Sequence, residues 1–148
     1  KIMAGDYQNN KPIKGFVSFD INSLAGHKVT NATLTFENPL QWGDPTLNLI
    51  QSIKVEVVDW GDDGLKVGDF YISGIELLCS NNSPNFSFTN QKIIDTLQDA
   101  IDNGKDRYQI RLFHSGWPTN NNNAIDAYGY PVNNISLQIE YYEPVPLP

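Results

Sequence analysis

Hydrophobic and polar residues alternate with a period of two through much of the chain. In residues 15–36 (GFVSFDINSLAGHKVTNATLTF), Val17, Phe19 and Ile21 fall on one side and Ser18 and Asp20 on the other. After a compact polar connection, Ala32, Leu34 and Phe36 face one way and Thr33 and Thr35 the other. This period marks strands with one buried and one wet face, and it predicts an antiparallel sandwich rather than a nucleotide-binding α/β core. Residues 53–60 repeat the pattern, residues 61–64 (Gly-Asp-Asp-Gly) turn the chain, and short strands are expected again over 70–79. Phe86 and Phe88 share a face. Tyr108, Ile110 and Leu112 alternate with Gln109 and Arg111, and Ile135, Leu137, Ile139 and Tyr141 make a last strand.

Over residues 90–102 the period changes. Ile93, Ile94, Leu97 and Ile101 recur as one face of an amphipathic helix, with Thr89 or Asn90 to cap its start and Asn103-Gly104 to end it. About eight strands and one short crossover helix predict a mainly β, jelly-roll-like antiparallel sandwich occupying residues 1–142. Residues 143–148 (EPVPLP) are too proline-rich for a sheet interior and read as a linker or extended tail. The segment before Gly15 is weakly patterned apart from Ile2 and Met3. Either residues 1–7 supply an edge strand, or the sandwich lacks one there and presents an edge open to strand addition.

Composition narrows the partners. A chain of 148 residues is long enough for one two-layer core. Its net charge of −7 disfavours nucleic acid and anionic membrane surfaces, and suits divalent cations or plain solubility. No apolar run is long enough to span a membrane. The single Cys79 has no partner for a disulfide or zinc site; in the run Ile75, Leu77, Cys79 it reads as a small core residue. Among 17 asparagines, Asn31, Asn81, Asn85 and Asn134 stand in glycosylation sequons, which favours a secreted surface protein. An opening at Lys1 without Met looks like a processed product.

Candidate chemistry is sparse. His27 and His114 have no partners at metal-ligand spacing, and no nucleophile, phosphate-loop or zinc motif appears, so no enzyme activity is expected. Asp59, Asp62, Asp63 and Asp69 lie within one glycine-rich turn of eleven residues. Calcium takes six to eight oxygens on a bendable loop, so these four are the candidate metal ligands, with an acidic hairpin turn as the alternative. Asn120 to Asn123 with Asp126 form a second oxygen-rich loop. Trp42, Trp117, Tyr128 and Tyr130, in apparent loops, are candidate contacts for carbohydrate or protein, whereas Trp60 reads as packed.

The series GFVSFDINSLAGHKVTNATLTF, IKVEVVDWGDDGLKVGDF, IIDTLQDAIDNGKDRYQIRLF and NNNNAIDAYGY, running in order over about residues 5–142, resembles a family of exported cell-surface β-sandwich domains. Such domains are often described as carbohydrate-binding or adhesive. In that family the last region usually carries more acid, in a form like a calcium loop; here Asn121 and Asn123 stand instead. The match of Arg111 with Asp126 implies a structural ion pair. The opening KIMAGDYQNNKP and the overall size resemble the secreted subunits of cannulae, the extracellular tubules of hyperthermophilic archaea. That resemblance implies an extracellular, non-catalytic homopolymer assembled with calcium, in which an N-terminal strand is donated to an open edge of the neighbour. The rival expectation is a carbohydrate-binding or adhesive module whose aromatic residues stack on sugar rings.

Overall fold

The alternating segments form strands, as their period requires, but they are divided between two antiparallel sheets of unequal width. The computed structural model describes residues 1–48, 50–115 and 124–143. In chain order the elements are β1 (Ile2–Tyr7), β2 (Lys11–Asp20), β3 (Lys28–Phe36), β4 (Leu40–Trp42), β5 (Ile53–Val58), β6 (Ile75–Ser80), β7 (Phe86–Phe88), α1 (Gln91–Asp102), β8 (Arg107–His114), β9 (Asp126–Tyr130) and β10 (Ile135–Tyr142). Seven strands form the larger sheet in the order β4-β9-β1-β2-β8-β5-β6, and β10-β3-β7 form the smaller one. The result is a mainly β antiparallel sandwich with one short helix, the expected architecture.

The core lies between the layers. Ile53, Val55, Ile110, Leu112 and Tyr130 from the larger sheet meet Leu34, Phe36, Ile93 and Leu97, all at 0 % exposure. The apolar face of α1 extends the small sheet. Asn90 caps the helix, its side chain accepting from the Ile93 N–H at 2.9 Å. Gln98 then acts as a substitute strand beside β3: its Oε1 accepts from the Val29 N–H at 2.8 Å and its Nε2 donates to the His27 carbonyl at 3.2 Å. A backbone edge that would otherwise be buried unpaired is satisfied by one side chain.

Several expectations need correction. The leading segment is neither an edge strand nor missing: β1 pairs with β2 on one side and β9 on the other, inside the larger sheet. Trp42, Tyr128 and Tyr130 are not in loops but on β4 and β9. Cys79 is exposed. Val55 pairs with Leu78 and Glu56 with Glu76, so Leu77 is an extra residue in β6, a bulge that reverses which side chains point inward. Leu78 and Ser80 therefore face the core and Cys79 faces out. Finally, Arg111 pairs with Glu56, not with Asp126.

The Arg111 environment also explains why five consecutive residues of β8, Tyr108 to Leu112, are buried. Tyr108, Ile110 and Leu112 face the core, and the segment 60–73 folds back over the opposite face. Gln109 accepts from the Trp60 N–H at 2.8 Å and donates to the Gly61 carbonyl at 2.9 Å. Arg111 donates to the Ile72 carbonyl at 2.6 Å, and Lys14 to that of Phe70 at 2.9 Å. Phe70 and Tyr71, expected to open a strand, lie in a 3-10 turn, Val67–Tyr71.

Candidate assembly strand and the acidic positions around it

β1 is held by close backbone approach as much as by side chains. Gly5 has φ 151°, and a Cβ added to it would lie 2.1 Å from the Asp126 carbonyl oxygen and 2.5 Å from the Ala127 Cα. Only glycine fits such a position without displacing backbone. On the other side, a Cβ on Gly15 of β2 would lie 2.8 Å from the Met3 carbonyl oxygen. Register sets Ile2 opposite Tyr130, Ala4 opposite Tyr128 and Asp6 opposite Asp126. Ala4 and Asp6 are wholly buried. The connection to β2 is a 3-10 turn, Gln8–Asn10, closing on Asn10 with φ 55°, the left-handed region that non-glycine residues adopt at a cost.

The four candidate metal ligands do not converge. Asp59 forms an ion pair with Lys105 and accepts from the Gly61 N–H at 3.0 Å; both bonds hold its carboxyl below the usual carboxylate range. Asp69 is buried and accepts from the Lys66 N–H at 2.6 Å, pinning the start of the 3-10 turn. Asp62 and Asp63 point into solvent between Gly61 (φ 80°) and Gly64 (φ 83°). Among the described residues no three acidic, histidine or cysteine side chains form a metal-binding group. Asp59 and Asp69 are thus engaged by protein partners, and Asp62 and Asp63 are open to solvent.

The candidate aromatic contacts occupy different environments. Tyr130 is fully buried, donates to the Pro84 carbonyl at 2.6 Å and packs edge-on against Phe36; burial raises its pKa. Tyr128 is 7 % exposed and its hydroxyl donates to the Pro45 carbonyl at 3.3 Å. Neither ring offers a face to a sugar. Trp42 is half-buried on the edge strand β4, with the Lys1 ammonium 5.4 Å from its ring and Gly129 beneath it. Trp117 and the loop Asn120 to Asn123 lie outside the described residues. Trp60 is packed, edge-on to Phe16 at 5.7 Å.

Of the sequon asparagines, Asn85 is exposed, its side-chain oxygen accepting from the Asn38 N–H at 2.6 Å. Asn31, Asn81 and Asn134 are half-buried, and the Asn134 amide donates to the Asn38 carbonyl at 3.3 Å.

Two features were not visible in the sequence, one at the surface and one in the interior. A groove of about 520 Å³ is lined by Lys11, Phe16, Lys66, Phe70 and Tyr71. Tyr71 is 78 % exposed and nearby Val67 90 %. The stretch LKVGDFY follows neither a strand nor a helix period, so pattern does not reveal that its apolar side chains stay at the surface. The second feature is the buried pair Asp6 and Asp126, which a strand period would place on a hydrophobic face. No helix among the described residues is long and apolar enough to cross a membrane. Compared with family models, curated proteins and solved structures, the chain matches none.

Proposed function

We propose that the chain is a non-catalytic structural subunit of an extracellular filament or tubule, joined to its neighbours by exchange of β1. One observation carries this reading. β1 fills the middle of a sheet, and the chain joins it to its neighbour β2 through a short turn, Gln8–Asn10, that closes on Asn10 at positive φ. Short strained hinges favour swapping, because straightening the hinge relieves its backbone while the strand remakes the same contacts in the next subunit. Passed head to tail, β1 would satisfy the backbone groups of β9 and β2 in a neighbour and generate an open polymer. The resemblance to cannula subunits points the same way.

Calcium enters this reading through charge. Subunits carrying −7 each repel one another, and divalent cations shared between them offset that repulsion. Asp62 and Asp63, exposed at the tip of their turn, are placed to contribute oxygens to ions shared between chains rather than to a site within one.

The second reading is a carbohydrate-binding or adhesive module, with the groove at Phe70 and Tyr71 as its contact surface. An exposed aromatic ring flanked by Lys11 and Lys66 suits a sugar, particularly an acidic one.

Light scattering with negative-stain microscopy during a calcium titration tests the first reading. Filaments or tubes are expected at millimolar calcium, dispersing in EDTA. A chain that stays monomeric, while a glycan screen finds a ligand that Tyr71→Ala abolishes, establishes the second reading instead.

A further inference from the structure

The groove at Phe70 and Tyr71 keeps apolar side chains in water. Leu65, Val67 and Tyr71 are all exposed, and with Phe16 and Phe70 they form one patch. Phe16 stands opposite Arg111 in register, so it projects to the side that the segment 60–73 covers, the outer face of the larger sheet. A contiguous exposed apolar patch of this kind marks an interaction site. It is also held in shape. The Lys14 ammonium lies 4.2 Å from the Phe70 ring centroid and donates to the Phe70 carbonyl at 2.9 Å, and the Phe70 and Tyr71 rings meet edge-on at 4.9 Å. A groove formed in advance loses little freedom when it is filled.

Its chemistry is one-sided. In a chain of net charge −7, the described lining carries Lys11 and Lys66 and no acid. Ammonium and phenol groups donate hydrogen bonds, and the rings give flat apolar walls. The complementary occupant has carbonyl acceptors, apolar side chains, few N–H groups and a negative charge. Residues 143–148, Glu-Pro-Val-Pro-Leu-Pro, have that composition. Proline at 144, 146 and 148 removes three backbone donors, keeps the carbonyls and fixes φ near the polyproline II value. Aromatic-lined grooves take such segments because their backbone is ordered before it binds. Glu143 brings the charge; it is exposed and lies 3.2 Å from His27. Residues 144–148 lie outside the described residues.

The groove of the same chain is out of reach of this segment. β10 ends with Tyr142 opposite Lys28 at the start of β3, and the short connection 21–27 sets that end near Asp20 of β2. Phe16 is four residues back along β2, about 13 Å, and faces away across a layer spacing of about 10 Å. Five residues of polyproline II cover about 15 Å. The path alone consumes them, leaving nothing to lie along the groove.

We propose that the groove lined by Lys11, Phe16, Lys66, Phe70 and Tyr71 binds the proline-rich segment 143–148 of a second copy of this chain. Segment into groove is a head-to-tail contact, which repeats without closing. It extends the assembly reading by a second contact and does not require that β1 be exchanged.

The test is fluorescence anisotropy of a labelled peptide of residues 143–148, titrated with the full chain in EDTA at dilutions where it scatters as a monomer. Saturable binding is expected. Affinity should fall at least ~10-fold for the peptide carrying Pro144→Ala/Pro146→Ala/Pro148→Ala, and as much for the chain carrying Tyr71→Ala. Lys66→Glu, which opposes Glu143 with like charge, provides a second groove variant and should also weaken binding. The proposal is overturned if the natural peptide does not bind, if the proline-free peptide binds equally well, or if both groove variants bind as the parent does. A galacturonic acid oligomer that binds where the peptide does not would give the groove to a sugar and overturn it as well. So would tight binding seen only after residues 143–148 are deleted from the receiving chain, since the chain's own segment then fills the groove. Because binding is read on single chains, its failure leaves β1 exchange standing, and failure of β1 exchange leaves this contact standing.

Discussion

Gly5→Ala will remove about 4 kcal/mol of stability and release β1 from the sheet. Two effects add. The φ of 151° is strained for any L side chain, at roughly 1–3 kcal/mol. The new methyl would also press on the Asp126 carbonyl and the Ala127 Cα, backbone atoms that cannot step aside as a flexible side chain can. Overpacking of that kind costs roughly 1–3 kcal/mol more. Because domains are held by only about 5–15 kcal/mol, this is a large share of the total. Urea denaturation gives the magnitude, and amide hydrogen exchange gives the location: β1 and β9 should lose protection while β3 and β10 keep theirs. A loss below ~1 kcal/mol with β1 still protected would mean that β1 does not sit as described. The same substitution should abolish assembly, since a β1 that fits no slot at home fits none in a neighbour.

Arg111→Met comes next, at about 3 kcal/mol. Arg111 is 5 % exposed and its guanidinium joins Glu56 to the carbonyl of Ile72, fastening the segment 60–73 over the outer face of β8. Removing one partner of a buried pair leaves the other uncompensated, which costs more than the pair contributes. The value lies at the low end of the usual range because the Glu56 side chain retains 16 % exposure and so some hydration. Met fills much of the Arg volume, so the loss reports charge and hydrogen bonding rather than a cavity. The double variant Arg111→Met/Glu56→Leu should recover most of the stability, whereas a double variant no better than the single would show that the carbonyl bonds dominate. In the single variant, proteolysis at Lys66 should quicken as the covering segment loosens.

What the sequence revealed and what it concealed divide along a physical line. Period-2 alternation is legible where one face is wet, as in β3, where Ala32, Leu34 and Phe36 are buried and Thr33 and Thr35 are not. The helix was legible because its start carries a capping asparagine and its face a 3.6-residue period. β1 and β9 were obscured because each carries an aspartate on its core-facing side and a glycine where strands normally carry bulk. Cys79 was misplaced by a single inserted residue, Leu77, which shifts the phase of every position after it. The partner of Arg111 depends on which strands lie side by side; β5, carrying Glu56, borders β8, whereas β9 does not. The acidic turn is dense in charge, with four aspartates in eleven residues. Its aspartates have separate environments: Asp59 meets Lys105, Asp69 accepts from the Lys66 N–H, and Asp62 and Asp63 are exposed.

The Asp6–Asp126 pair escaped for the opposite reason. The residues are 120 positions apart, and nothing local marks either as unusual. Only register brings them together, on one buried face of the β1–β9 pair.

The central claim is that chains join by passing β1 into the slot between β9 and β2 of a neighbour. The most direct measurement is the growth of polymer from the full chain, by light scattering and electron microscopy, with a synthetic peptide of residues 1–10 in excess. The account predicts that the peptide occupies the slot and stops growth, and that the same peptide carrying Gly5→Ala leaves growth unchanged. Growth indifferent to both peptides would contradict it.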